Sequence, residues 1–248
     1  MRTRNRHNRT PKPQTVTERL RALRAACHLD TSYGFADTPG VGSTWTDRIS
    51  GVVLASESSA KRMIYDASSD LNGRPGWVGT AADQTAFLEP NGARTLGAYF
   101  CSESPYTLFV VRVVPGTNAS VLVAAEGTGI VAHSLTSAEN LSVERYDGTY
   151  AYYTSPPVTV GPAVDAFVFT GSGRVVSAYS NGVSYGSGSV AANTHASLRF
   201  MLGANADSAT FSTFFEGTYG DVVLFPRALA TTERQGVEAM LMAKFGIV

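Results

Sequence analysis

Between about Leu29 and Phe225, turn signals recur throughout this chain and no helix-length apolar period lies between them. The runs that separate the turns are short and rich in Val, Phe, Tyr, Ser and Thr. "YTLFVVRVV" (106–114), "SVLVAAEG", "AFVFT", "RVVSAYS", "VSYGSGS", "ASLRFMLGAN" and "FEGTYGDVVLF" each read as a strand. Asn72-Gly73, Arg74-Pro75, Asp147-Gly148 and Asn181-Gly182 read as turns, because Gly supplies positive φ and Pro fixes φ. Asn181-Gly182 predicts a two-residue hairpin, and "PGTNA" predicts another between the strand at 106–114 and "SVLVAAEG". Such a pattern predicts an all-β, two-sheet antiparallel sandwich and excludes βαβ units.

The chain then ends on something different. In "LFPRALATTERQGVEAMLMAKFGIV", Val237, Met240, Leu241 and Phe245 form one apolar stripe at helical spacing. Pro226 stops the preceding strand, Thr232 with Gln235 can form a capping box, and Gly246 suits the position after the helix. A helix over 232–245 is expected, docked on the sandwich because a stripe this short is marginal alone.

At 248 residues, with 44% apolar side chains, the chain can bury a large core. No run approaches the ~20 apolar residues of a membrane-spanning helix, and the basic N-terminus lacks the apolar stretch of a signal peptide. Two thiols, Cys27 and Cys101, cannot staple a domain of this size, so both are expected to be free and buried. No Cys/His grouping has metal-ligand spacing, and no cofactor is implied.

The net charge of zero conceals a segregation. Residues 1–29 carry Arg2, Arg4, Arg6, Arg9, Lys12, Arg19, Arg21 and Arg24 against the single acid Glu18, a net of +7; the remainder holds 12 bases and 19 acids, a net of −7. Residues 1–27 thus read as a basic arm before a body spanning 28–248. Within the arm, Thr15 and Glu18 have capping-box spacing, and Val16, Leu20, Leu23 and Cys27 fall on one helical face. The helix either packs on its own domain or inserts into a partner, and the charge block favours a partner. No aromatic residue is interleaved with the arginines, so an acidic protein surface suits the arm better than nucleic acid.

Five segments resemble the concanavalin A-like/laminin G-like jelly-roll superfamily of phage and bacterial surface proteins. They are "HLDTS" (28–32), "WTDRISG" (45–51, with one extra residue at Arg48 or Ile49), "LNGRPGWV", "YSNGVSYGSG" and the closing "FFEGTYGDVVLFPRALATTERQGVEAMLMAKFGI". The resemblance runs from about residue 28 to the end. Asp221 stands where that superfamily usually has Glu, and Ala230 where it usually has a Ser cap, so Thr231 or Thr232 should cap the helix. The resemblance implies a jelly roll, a fold that hosts lectins, adhesion modules, glycosidases, lyases and virion proteins.

Glycosidases need two carboxylates facing one cleft. Glu216 and Asp221, five apart, would face opposite sides of a regular strand, and His28, His133 and His195 show no nucleophilic pairing. An enzyme is therefore not expected. The sequence best fits a non-catalytic attachment protein: a phage virion accessory of capsid-decoration, head-fibre or tail-fibre type. It would dock on capsid or tail subunits through the arm, with homo-oligomerisation open. The alternative is a lectin-type module, with Tyr146, Asp147, Tyr150, Tyr179, Asn181 and Tyr185 as glycan-binding candidates.

Overall fold

A computed structural model describes residues 14–248 apart from 39–41, 57, 81–83, 91–94, 101–102, 115–119, 127–129, 136–139, 147–149, 159, 193–197, 208–209 and 213. Helix α1 is Val16–Ala22. Strands β1 (Cys27–Leu29), β2 (Phe35–Thr38), β3 (Gly42–Thr46), β4 (Val53–Ser56), β5 (Ile64–Asp66), β6 (Gly76–Gly79) and β7 (Phe87–Leu88) follow. A 3₁₀ turn, Gly97–Phe100, leads to β8 (Tyr106–Val113), β9 (Ser120–Glu126), β10 (Ile130–Leu135), β11 (Asn140–Tyr146) and β12 (Tyr150–Pro157). Then come β13 (Ala163–Phe169), β14 (Val175–Ser180), β15 (Val183–Ser189), β16 (Arg199–Leu202), β17 (Asn205–Asp207), β18 (Thr210–Ser212) and β19 (Gly217–Phe225). Helix α2, Thr231–Phe245, closes the chain.

The strands form two large antiparallel sheets and a separate two-stranded β17–β18 ribbon. Sheet one runs β15-β14-β13-β8-β19-β6-β5, with β1 also on β19; sheet two runs β12-β11-β10-β9-β16-β7-β4-β3-β2. This is the expected sandwich. Trp45, Trp77, Phe87, Leu108, Phe167 and Phe200 are among the side chains buried between the sheets. One expected pairing fails. β8 belongs to sheet one and β9 to sheet two, so the chain crosses the sandwich there instead of making a hairpin. Each strand carries an apolar face that packs inward, and crossing lets both faces share one core. The Asn181-Gly182 turn joins β14 to β15 as expected, with φ of 48° and 80°.

Sheet one is apolar on its other face too. Phe109, Val111, Val164, Ala166, Val223 and Phe225 point away from sheet two and meet Leu20 of α1 with Val237, Met240, Leu241 and Phe245 of α2. The molecule therefore has three layers: sheet two, sheet one and a helical layer. Helix α1 begins as predicted, with Thr15 and Glu18 exchanging both capping-box bonds. It ends sooner than predicted. Arg24 takes a left-handed φ of 64°, which turns the chain so that Cys27 enters β1 and the inter-sheet core, not the helix face. Cys27 is a buried free thiol, while Cys101 lies outside the described residues.

Within the arm of residues 1–27, Leu20 is fully buried in the molecule's own second core, so α1 packs on the body. One expectation is corrected. Helix α2 starts at Thr231 with Ala230 as its N-cap, not with a Thr232–Gln235 box. Glu233 accepts from the Ala230 N–H at 3.2 Å and is held by both Nη atoms of Arg227 at 2.7 and 2.8 Å, so the side chain at N3 does the capping alone.

Candidate functional site

A cluster of buried polar side chains lies where β1, the middle of β19 and the two helices meet. Register places Asp221 there. Tyr219 pairs with Arg112 and Val222 with Val110, so β19 advances three residues against two of β8. This is a bulge. Tyr219 and Val222 both face the inter-sheet core, and the extra residue turns Asp221 to the helical side. Gly220 is required in this bulge by close approach. A Cβ there would lie 2.7 Å from Val111 Cγ1 and 3.0 Å from Phe245 Cε1. Gly220→Ala should lower stability by about 1–3 kcal/mol, read as a shifted urea midpoint at unchanged slope.

Asp221 is fully buried and fully satisfied. His28 Nε2 lies 2.8 Å from Oδ2, the Thr31 N–H donates to Oδ1 at 3.1 Å, and Lys244 Nζ donates to both oxygens at 2.8 and 2.7 Å. Lys244 also donates to Asp30 Oδ1 at 2.7 Å, and Arg48 Nη1 donates to Asp30 Oδ2 at 2.5 Å. Asp47 fixes the turn beside them by accepting from the N–H groups of His28 and Ile49 and from Ser50. Burial alone would raise the Asp221 carboxyl, but the His28 hydrogen bond and the charges of His28 and Lys244 hold it below its ordinary value. Burial opposes ionisation of Asp30 as well, and Lys244 holds it well below the usual carboxylate range. The lysine is raised in turn, since Asp221 and Asp30 outweigh its own desolvation.

Thr17 Oγ1 lies 3.2 Å from His28 Nδ1, so Thr17, His28 and Asp221 stand in the order of a nucleophile, a base and an acid. Thr17 is 3% exposed and the other two 0%, so no substrate reaches the hydroxyl. The ligand atoms of His28, Asp30 and Asp221 also lie within 4.8 Å of one another, a spacing that could hold a metal ion. The Lys244 ammonium already stands among them and supplies the positive charge. The cluster ties both helices to sheet one.

This network reaches the surface through Arg48, the region of the extra residue in "WTDRISG". Its guanidinium lies 4.7 Å from the ring centroid of Tyr33, which is 45% exposed. Beyond Tyr33, the edge strands of the two sheets meet. Phe35 on β2 stacks on Tyr65 of β5, with centroids 3.8 Å apart and planes 14° from parallel. Both rings pack edge-on to the buried Trp77. Asp37 joins the same two edges, accepting from the Tyr65 N–H at 3.1 Å and pairing with Arg62. Phe35 stays 39% exposed. The rim thus presents open aromatic surface beside a carboxylate and a guanidinium, the chemistry of a polyhydroxylated ligand that has an apolar face.

Of the sequence-derived candidates, Tyr179, Asn181 and Tyr185 do not assemble into such a surface. Tyr179 lies under α2, with the Arg234 guanidinium 3.5 Å from its ring centroid and Arg234 paired to Glu238. Asn181 spends its side-chain oxygen on the Val164 N–H at 2.8 Å, which ties the β14–β15 turn to the neighbouring strand β13. Tyr185 packs against the inter-sheet core. The two cores lie on opposite faces of sheet one, so Tyr179 and Tyr185 share no platform. Tyr146 and Tyr150 are register partners across the β11–β12 ladder, and Asp147 lies outside the described residues. Arg19, Arg21 and Arg24 are exposed, with Arg21 Nη2 donating to the Arg48 carbonyl at 2.6 Å. Arg2, Arg4, Arg6, Arg9 and Lys12 lie outside the described residues.

Fold and site together define a β-sandwich module with a helical layer and an aromatic edge. No protein-family model matches the chain, and no curated protein matches it. Solved structures do. Domain 4 of AbnA, a GH43 extracellular arabinanase from Geobacillus stearothermophilus, solved with arabinotriose, matches with a TM-score of 0.59 at 14% identity, over 87% of this chain and 98% of that one. The CBM40 of the Ruminococcus gnavus IT-sialidase matches with a TM-score of 0.53 at 13% identity, over 62% of this chain and 92% of that one. The NanB sialidase from Streptococcus pneumoniae gives 0.49 at 16% identity over 54% of this chain, and the match spans only 24% of the sialidase. The first two likenesses, at TM-scores of 0.59 and 0.53, show the fold.

Proposed function

We propose that this chain is a non-catalytic carbohydrate-binding module that takes its glycan at the β2–β5 rim. The observation that carries the proposal is the exposed Phe35 ring, stacked on the half-buried Tyr65, with the Asp37–Arg62 pair beside it. A pyranose or furanose ring has an apolar C–H face that packs on an aromatic ring. Its hydroxyls both donate and accept, so a carboxylate and a guanidinium side by side serve them. The sandwich fold is shared with the arabinanase domain solved with arabinotriose and with the sialidase CBM40, and the reading agrees with both. A virion role for this chain rests on the charge of its arm. Leu20 of α1 is committed to the body, so any anchoring would fall to residues 1–13 and to the exposed Arg19, Arg21 and Arg24.

The test is a glycan array followed by calorimetry on the best binder. Phe35→Ala should weaken binding at least about 10-fold, as expected for loss of a central aromatic contact, while leaving the melting temperature within a few degrees. Tyr179→Ala should leave affinity unchanged. Equal affinity for wild type and Phe35→Ala would remove the rim from the reading.

A further inference from the structure

Resting on that reading, we infer that the rim selects uncharged sugars over acidic ones. The inference follows from how its cations are spent. Arg62 is paired with Asp37, and Arg48 with Asp30. Lys244, behind them, is shared between Asp30 and Asp221. These three cations stand against three carboxylates, Asp37, Asp30 and Asp221, so the group has no excess positive charge to offer an anion. Asp66, on β5 next to Tyr65, adds a further negative charge, and with Asp30 it pushes the Tyr65 phenol upward beyond the effect of burial.

A ligand carboxylate or sulfate would have to displace Asp37 from Arg62, or stand beside it. Displacement leaves Asp37, whose side chain is 16% exposed, without its partner. Standing beside it sets like charges a few ångströms apart. A neutral hydroxyl meets neither obstacle. It can accept from the Arg62 nitrogens that Asp37 leaves unused, and donate to Asp37 itself, without disturbing the pair. Local neutrality also removes long-range steering, so binding should be nearly insensitive to salt.

The experiment uses matched glycans: a neutral oligosaccharide, and the same backbone ending in a uronic or sialic acid. The full chain is titrated with each at 50 and 500 mM NaCl, beside Phe35→Ala and Asp37→Asn. The neutral glycan should bind at least about 3-fold more tightly, changing less than about 2-fold across that salt range. Asp37→Asn keeps the shape of the rim but frees the Arg62 charge, and should move the preference toward the acidic glycan by several-fold at low salt. Tighter binding of the acidic glycan to wild type, lost in Phe35→Ala, would overturn the neutral selection and leave the rim as the binding site. Binding of no glycan at all would overturn both.

Discussion

Asp221→Ala is expected to destabilise the domain by about 3–5 kcal/mol, the range for removing one partner of a buried charge network. The loss exceeds that of one hydrogen bond because of what stays behind. His28 Nε2, the Thr31 N–H and the Thr31 hydroxyl all keep their burial and lose their acceptor. Lys244 keeps only Asp30, so the helical layer loses one of its two polar ties at this point. Lys244→Met should also destabilise, by leaving two buried carboxylates close together. The double variant should cost less than the sum of the singles, since each change relieves the charge that the other strands. Additive losses in urea titrations would mean that the two residues are not coupled.

The same network sets a pH dependence. Asp221 and Asp30 are held below their unfolded value of about 3.9. Their contribution is complete above that value and is lost as pH falls through the lower folded value. Lys244 is shifted the other way, so its contribution is complete below its unfolded value of about 10.4 and is lost as pH rises through the raised one. Wild type should lose stability steeply below about pH 4, and Asp221→Ala should show a shallower acid limb from a lower plateau.

The sandwich was legible because its code is local. Alternation and turn dipeptides specify strands one at a time, and the Asn181-Gly182 hairpin appears where they place it. The β8–β9 crossover was not, because two adjacent apolar runs look the same whether they share a sheet or face each other across a core. The residues of the buried network were in plain view, in "HLD", "WTDRISG", "YGD" and "KFG", and these are segments that carry the jelly-roll resemblance. Their convergence was hidden by the β19 bulge. In a regular strand Asp221 would share the inward face of Tyr219 and never meet Lys244. The rim was less visible still. "FADT" and "IYD" are unremarkable alone, and only the meeting of two sheet edges joins Phe35 to Tyr65. The tyrosine-rich hairpins stand out by composition, yet Tyr179 serves to pack a helix.

Leu241→Asp is expected to cost about 4 kcal/mol or more, combining the lost apolar contacts of a buried leucine with an unpaired charge. Leu241 is fully buried, and Val237, Met240 and Phe245 share its face. Ala239→Asp on the exposed face of the same helix should cost under about 1 kcal/mol. A melting temperature for Leu241→Asp equal to that of Ala239→Asp would show that α2 does not dock. The asymmetry follows from sheet one. Its central strands β8, β13 and β19 are apolar on both faces, and sheet two can cover only one of them. Phe109, Val111, Val164, Val223 and Phe225 would otherwise lie open to water. A 15-residue helix of this kind is marginal alone, and that doubly apolar sheet is unsatisfied alone. Each completes the other, which is why a chain of β-strands closes on a helix and why its last turn carries the lysine that reaches Asp221.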